Sequence, residues 1–298
     1  MKKISFATLF LSLLVLISCN QNRESVTIQA HRGGAGLMPE NTIEAMKRAI
    51  DLGVDVLEVD LNISQDGEVV VSHDPFMNSG FVLTPSGDEI AKGEERNYLL
   101  YKMKYDSIRR FDVGSKPYAT FPEQRRVRSY KPLLTELIDS VELYAQRRGV
   151  AAPNYNIEIK SNEALDGIAT PPYRDFVDMC MAVLMQKGLG DRFLVQSFDT
   201  RALNYLNERY PDVVLSYLVS SKHKDLVKSM ERINFTPEWC SPHYSLLSSD
   251  VVEEFRAMGV KLAPWTVDSH EDMEAMVDLG VESIITNYPD RLLKILGR

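Results

Sequence analysis

Two histidines, His31 and His73, bracket a stretch that also carries two acids, Glu58 and Asp60, two residues apart. An imidazole can take or give a proton near neutral pH. Paired carboxylates can gather oxygen ligands around a cation. The run VDVLEVDLN is rich in β-branched and apolar residues and reads as a strand. In a strand, residues i and i+2 share a face. Val56, Glu58 and Asp60 then lie on one face, and Leu57, Val59 and Leu61 on the other. Two carboxylates on a core-facing surface are costly unless positive charge meets them. Gln65-Asp66-Gly67 reads as a tight turn. Folding back about it brings GEVVVSHD antiparallel to the acidic strand, with His73 near Glu58 and Asp60. Further on, NYNIEIK reads as a strand that sets Glu158 and Lys160 on one face in the same way.

These residues need elements to hold them. Residues 26–30 read as a strand ending at His31, and Gly33, Gly34 and Gly36 as a loop where backbone can approach a ligand. Asn41 followed by Glu44 is a helix-start signature for a helix over 42–52. Residues 75–131 break the rhythm with Pro, Gly, Tyr and basic residues, and read as an insertion over one end of the domain. Helices then alternate with strands: 133–148, 155–160, 173–187, 193–197, 200–209, 213–219, 224–232, 239–242, 248–258, 261–267, 271–279, 282–286 and 289–296. Of the nine strand-like runs, VVVSH cannot be parallel to its predecessor, because a parallel crossover needs about a dozen residues. Eight strands remain, each followed by a helix, which is the pattern of a (β/α)8 TIM barrel of about 250 residues. The expected organisation is one domain over 26–298 that includes the insertion.

In such barrels the active site lies at the C-terminal strand ends. His31 with Arg32, Glu58 with Asp60, and Glu158 with Lys160 all fall there. Three carboxylates at neighbouring strand ends form an all-oxygen site suited to Mg²⁺ or Ca²⁺. Zinc suits it less, since no cysteine or histidine cluster has ligand spacing. Arg32 and Lys160 supply positive charge for an anion, Arg32 in bidentate form. The net charge of −8 gives no footing for nucleic acid, and binding an anion demands local positive charge.

The N-terminus reads separately. Lys2 and Lys3 precede an apolar run over 4–17, too short for a comfortable membrane span, so residues 1–18 read as a signal peptide. Leu16-Ile17-Ser18-Cys19 resembles the bacterial lipobox, which implies lipidation of Cys19 and a tether over 19–25. The expectation is an exported protein, lipid-anchored to a bacterial membrane and facing periplasm or cell exterior. An uncleaved anchor or an ordinary secretory signal is the alternative. Export permits a disulfide between Cys180 and Cys240, but their apolar settings favour two buried free thiols.

One ordered set of motifs resembles the glycerophosphodiester phosphodiesterase family: His31-Arg32-Gly33, Pro39-Glu40-Asn41-Thr42, Glu58 with Asp60, Asp66-Gly67, and His73-Asp74. The resemblance implies the same barrel and a metal-dependent hydrolysis of glycerophosphodiesters to an alcohol and glycerol 3-phosphate. It implies metal ligation by Glu58, Asp60 and Glu158, with His31 as base and His73 as acid. Phe198 and Trp265 resemble the family's apolar substrate contacts, with plain core packing as the alternative, and Asn41 and Glu40 are candidates for a direct role in the site, with helix capping the alternative for Asn41. Asp268 departs from the family, which often has Asn there. His223, His243 and His270 fit no motif, and Arg125-Arg126-Val127-Arg128 reads as a solvated rim. A related barrel phosphodiesterase of phospholipase D type on lysophospholipids or sphingolipids stays open, as do a glycosidase and a non-catalytic lipoprotein that binds headgroups. The oligomeric state is open.

Overall fold

The computed structural model describes residues 26–298. The signal peptide expected over 1–18, the tether expected over 19–25 and Cys19 lie outside the described residues.

The barrel grows from eight parallel strands: β1 (Thr27–Ala30), β2 (Val56–Ile63), β4 (Asn154–Ile159), β5 (Phe193–Ser197), β6 (Val214–Val219), β7 (Trp239–Pro242), β8 (Lys261–Leu262) and β9 (Ser283–Thr286). Neighbours in sequence are neighbours in the sheet, and β1 pairs β9 to bring the ends together. Between β8 and β9 the wall closes through irregular backbone, with Val267 N–H to Ile285 O and Ile285 N–H to Pro264 O, both at 3.0 Å. The sequence suggests a strand over 261–267, but β8 stops at Leu262. Pro264 has no N–H to give a ladder, which accords with the early stop.

The helices after the barrel strands are α1 (Ile43–Leu52), α2 (Leu134–Arg148), α3 (Tyr173–Lys187), α4 (Thr200–Arg209), α5 (Leu226–Ser229), α6 (Ser249–Ala257), α7 (His270–Leu279) and α8 (Pro289–Leu296). The weak helix expected over 224–232 is a single turn, α5, continued as a 3₁₀ turn over Met230–Arg232. Outward-facing Leu57, Val59 and Leu61 of β2 are fully buried in one cluster with Met46 and Ala49 of α1 and Leu137 and Val141 of α2. Burying such side chains is worth about 1.5–3 kcal/mol each, so the apolar face of β2 is pinned outward and its acids must point into the barrel.

β3 (Val69–Val71) runs back antiparallel along the end of β2, with Leu61 opposite Val71 and Ile63 opposite Val69. Gly67 takes φ +81° in the turn, as the Asp-Gly sequence demands. Residues 75–131 build most of a second apolar cluster around Met77, Phe81, Leu100, Ile108 and Phe111, which also takes in Val70 of β3. They grip the loop after β1: Gln124 Nε2 donates to Ala35 O at 2.7 Å and Arg125 N–H to Leu37 O at 2.9 Å. Cys180 and Cys240 are buried free thiols, as their settings suggest. Among the described residues, no helix is long and apolar enough to cross a membrane.

Candidate active site

Parallel register builds the acidic cluster. Glu58 lies level with Asn156, Asp60 with Glu158, and Glu158 with Gln196. Glu58, Asp60 and Glu158 are buried, and one carboxylate oxygen from each lies within 4.8 Å of the others. Burial, then Asp60 and Glu158, push the Glu58 carboxyl well above the usual range. Burial likewise raises Glu158, although Lys160 opposes it. Burial also works against a charge on Asp60, but Lys160, His73 and Arg32 overcome it and hold its carboxyl below the usual range.

Each acid is held in place. Glu58 accepts the backbone N–H of Arg32 at 2.8 Å and Nε2 of Gln196 at 3.1 Å. Asp60 accepts Nδ2 of Asn41 at 2.8 Å, and its own N–H donates back to Asn41 Oδ1 at 3.2 Å. Lys160 Nζ meets Glu158 at 2.7 Å and Asp60 at 3.6 Å. Arg32 pairs with Glu40 at 3.0 Å and lies 3.4 Å from Asp60. Arg32 and Lys160 are the cations in direct contact with these acids, and Lys131 and His73 act on Asp60 from further off, so four buried acids meet fewer fixed positive charges than their own number. Oδ1 of Asp60 is buried without a hydrogen-bond partner. The oxygen-only donor set, the orphaned oxygen and the charge deficit fit one divalent cation.

Backbone conformation serves this cluster. Arg32 and Asn41 carry φ +53° and +57°, a region that L-residues other than glycine seldom occupy. Such conformations persist where surroundings over-determine them. Here the Arg32 N–H is aimed at Glu58, and the Asn41 amide straddles Asp60. The helix-start role that the sequence gives Asn41 belongs instead to Thr42, whose Oγ1 accepts the Ala45 N–H at 3.1 Å. Asn41 is therefore free to bind Asp60.

The histidines have different partners. His31 Nδ1 meets Asn287 Oδ1 at 2.7 Å. Burial, with help from Arg32, pushes this imidazole down to about 3. His73 Nδ1 meets Asp74 Oδ1 at 2.9 Å, and Asn78 Nδ2 donates to the other oxygen of Asp74 at 2.7 Å. Burial opposes the Asp74 charge, but the bonds from His73 and Asn78 hold its carboxyl down at about 2. Behind it, the buried Lys131 Nζ donates to Ser72 Oγ at 2.8 Å, and Ser72 Oγ donates to Asp74 O at 2.7 Å.

A cavity of about 150 Å³ gathers these groups, lined by His31, Arg32, Glu58, His73, Glu158 and Lys160 on its polar side. Phe198, Leu218, Trp265 and Ile285 make its apolar side. The Phe198 and Trp265 rings meet edge to face at 5.3 Å, and Trp265 Nε1 donates to Ser241 O at 2.9 Å. Asn41 and Asp60 lie behind the lining. A larger depression of about 650 Å³ on the outside of α1 has only mixed surface charges such as Lys47 and Asp51, with no acid cluster or histidine. His243 sits beside the site, with its ring 5.5 Å from that of Trp265, while His223 and His270 are remote from the cavity lining. Arg125, Arg126 and Arg128 are exposed. The insertion contributes no lining residue; it reaches the site through Asn78 and Lys131 instead.

Sequence reasoning misses Gln196, Asn287, Asn78 and Lys131 as functional partners. Asn287 directly follows β9, so its position at a barrel strand end is the signal that could have found it.

Comparison with known proteins agrees with this geometry. Residues 31–291 match the Glycerophosphoryl diester phosphodiesterase family. A glycerophosphodiester phosphodiesterase of Caldanaerobacter subterraneus subsp. tengcongensis is 30% identical over 274 residues, 90% of this chain and 97% of that one. A crystal structure of a candidate glycerophosphoryl diester phosphodiesterase from Silicibacter pomeroyi superposes with a TM-score of 0.78 at 29% identity, over 91% of this chain and 93% of that one. An Oleispira antarctica phosphodiesterase in complex with the product sn-glycerol-3-phosphate shares the fold, with a TM-score of 0.71 at 22% identity, over 91% and 97% of the two chains. The motif set, the barrel and the family match along nearly the whole described chain lead to one conclusion: this protein belongs to the glycerophosphoryl diester phosphodiesterase family.

Proposed function

We propose that this enzyme hydrolyses small glycerophosphodiesters to an alcohol and glycerol 3-phosphate, using one Mg²⁺ or Ca²⁺ and an acid–base pair of histidines. The observation that carries the reading is the asymmetry of that pair. His31 Nδ1 faces a neutral amide oxygen, whereas His73 Nδ1 faces the Asp74 carboxylate, a partner for a charge-assisted hydrogen bond. The first arrangement suits a base and the second an acid.

Glu58, Asp60 and Glu158 would hold the cation, which when bound supplies charge for a phosphate oxygen and acidifies a nearby hydroxyl. Arg32 and Lys160 offset the rest of the phosphate charge. His31 takes the proton of the attacking glycerol hydroxyl. His73 protonates the departing alcohol. Water then opens the cyclic phosphate with the roles exchanged, leaving glycerol 3-phosphate. The Oleispira protein with that product bound supports the class of product.

The cavity size favours small substrates over lysophospholipids. Sites that enclose drug-sized ligands measure about 300–1,000 Å³, and this one is about 150 Å³. Of the exposed large apolar side chains among the described residues, Phe198 alone lines the cavity, and Leu143, Val150, Ile168, Met185 and Met258 are not in its lining. The complete set of acids and histidines argues against a non-catalytic binder, and a glycosidase leaves Arg32, Lys160 and both histidines without a task.

The test compares leaving groups. Choline leaves as a basic alkoxide that needs a proton, whereas nitrophenolate does not. His73→Ala should lose about 10²- to 10⁴-fold in turnover of glycerophosphocholine and much less on a nitrophenyl ester of glycerol phosphate. His31→Ala should be impaired on both. Equal losses for His73→Ala on the two substrates would refute the assignment.

A further inference from the structure

His31 needs a specific tautomer to act as a base, and the means of setting it lies across the closure of the barrel. β1 pairs β9 with Ala30 opposite Thr286, so His31 and Asn287 are the next residues on adjacent strands. Asn287 is buried, and its carbonyl accepts the Gly36 N–H at 3.0 Å. Its amide lies between two groups. On one side Oδ1 meets His31 Nδ1 at 2.7 Å. On the other, Nδ2 donates to Asp268 Oδ2 at 2.8 Å. Asp268 Oδ1 accepts the Asn287 backbone N–H at 2.9 Å and Thr286 Oγ1 at 3.2 Å.

An ionised carboxylate only accepts hydrogen bonds, so the end of the Asn287 amide facing Asp268 must be the NH₂. The carbonyl end must then face His31. A carbonyl oxygen also only accepts, so His31 Nδ1 must carry the hydrogen. A neutral imidazole has one N–H, and Nε2 is therefore left with a free lone pair. The other charged or titratable groups facing His31 are Arg32, Asp60 and His73. None of them has a hydrogen bond to its Nδ1.

We propose that Asp268 and Asn287 form a positioning pair that fixes the tautomer of His31, so that Nε2 is the proton-accepting nitrogen at the cavity. The role of the pair rests on the reading of His31 as base. Without Asp268, the Asn287 amide can turn over and present its NH₂ to His31. That stabilises the opposite tautomer, whose Nε2–H has no lone pair with which to take the hydroxyl proton.

The geometry distinguishes two single changes from their combination. In Asp268→Asn the carbonyl must stay on the Asn287 N–H and Thr286 Oγ1. Its NH₂ then faces the NH₂ of Asn287 and turns that amide over. In Asn287→Asp two carboxylates face each other. In the double exchange, Asp268→Asn with Asn287→Asp, every donor faces an acceptor again, and the carboxylate at 287 still accepts from Nδ1–H.

The experiment uses the full chain loaded with Mg²⁺ and labelled with ¹⁵N-histidine. The ¹⁵N shifts of the ring report the tautomer without turnover. Wild type should show His31 Nδ1 protonated and Nε2 bare. Asp268→Asn should shift His31 toward the Nε2–H form and lower kcat about 10- to 100-fold, the usual cost of losing an outer partner, with KM nearly unchanged. The double exchange should restore the Nδ1–H form and recover most of kcat. If Asp268→Asn does not fold, Asn287→Leu, which cannot accept from Nδ1, should show the same loss of the Nδ1–H form. A wild-type tautomer and kcat in folded Asp268→Asn or Asn287→Leu would overturn the proposal, as would a double exchange no better than Asp268→Asn alone. An inactive wild type with the Nδ1–H tautomer would sink the phosphodiesterase reading and leave the positioning pair standing.

Discussion

At the scale of single residues, the site is a balance between buried acids and too little positive charge. Glu58 and Glu158 have raised pKa values in the folded protein, so the metal-free folded state holds protons that the unfolded chain has released. Stability of that state should therefore fall as pH rises from roughly 4.5 toward the raised values. Asp60 has the opposite sign; its contribution is present above the ordinary carboxylate range and is lost only as pH falls below it. A bound cation removes the penalty on Glu58 and Glu158. Calorimetry with saturating Mg²⁺ or Ca²⁺ should show a larger gain in Tm near pH 8 than near pH 5. An equal gain at both would mean that these carboxyls are not the ligands. Glu158→Gln should weaken cation binding in titration calorimetry by at least the roughly 10- to 100-fold that loss of an outer partner costs, and should keep the fold.

At the scale of elements, the turn after β1 matters most. Gly33 takes φ +82°, and a Cβ there would lie 2.8 Å from Ala45 Cβ on α1. Gly33→Ala should cost about 1–3 kcal/mol and, by shifting His31 and Arg32, most of the activity. Gly53, at φ +81° with nothing within 4 Å of an added Cβ, is the control. Gly53→Ala should lower Tm without lowering kcat, and the same activity profile for both would show that the turn does not position the site. The strands and the acidic cluster were legible because alternation and i, i+2 spacing are local signals: Glu58, Asp60 and Glu158 fall where β2 and β4 predict. The outer partners were not legible. Asn287 meets His31 across a separation of 256 residues, and no local pattern encodes that contact. Asn41 misled for a local reason, since Asn41 and Thr42 are both good helix caps and only the left-handed turn at Asn41 decides between them. The insertion lacks periodicity because its residues pack around their own apolar cluster, and it serves the site by bracing Asp74 through Asn78.

At the scale of the whole molecule, the candidate site lies at the C-terminal ends of the strands, and the chain enters its first strand at the opposite end. A lipid on Cys19 would therefore tether the barrel by the end away from the cavity. This proposal expects Cys19→Ala to move the protein from the membrane to the soluble fraction at unchanged turnover; retention on washed membranes would contradict it. The central claim is narrower: a cation held by Glu58, Asp60 and Glu158 and two histidines cleave a glycerophosphodiester on the alcohol side of phosphorus. Product analysis by ³¹P NMR tests it most directly, with glycerophosphocholine as substrate and the cation removed and restored. The account expects choline and glycerol 3-phosphate, no turnover in chelator, and recovery with Mg²⁺ or Ca²⁺. Release of phosphocholine and glycerol, or full turnover in the metal-free protein, would contradict it.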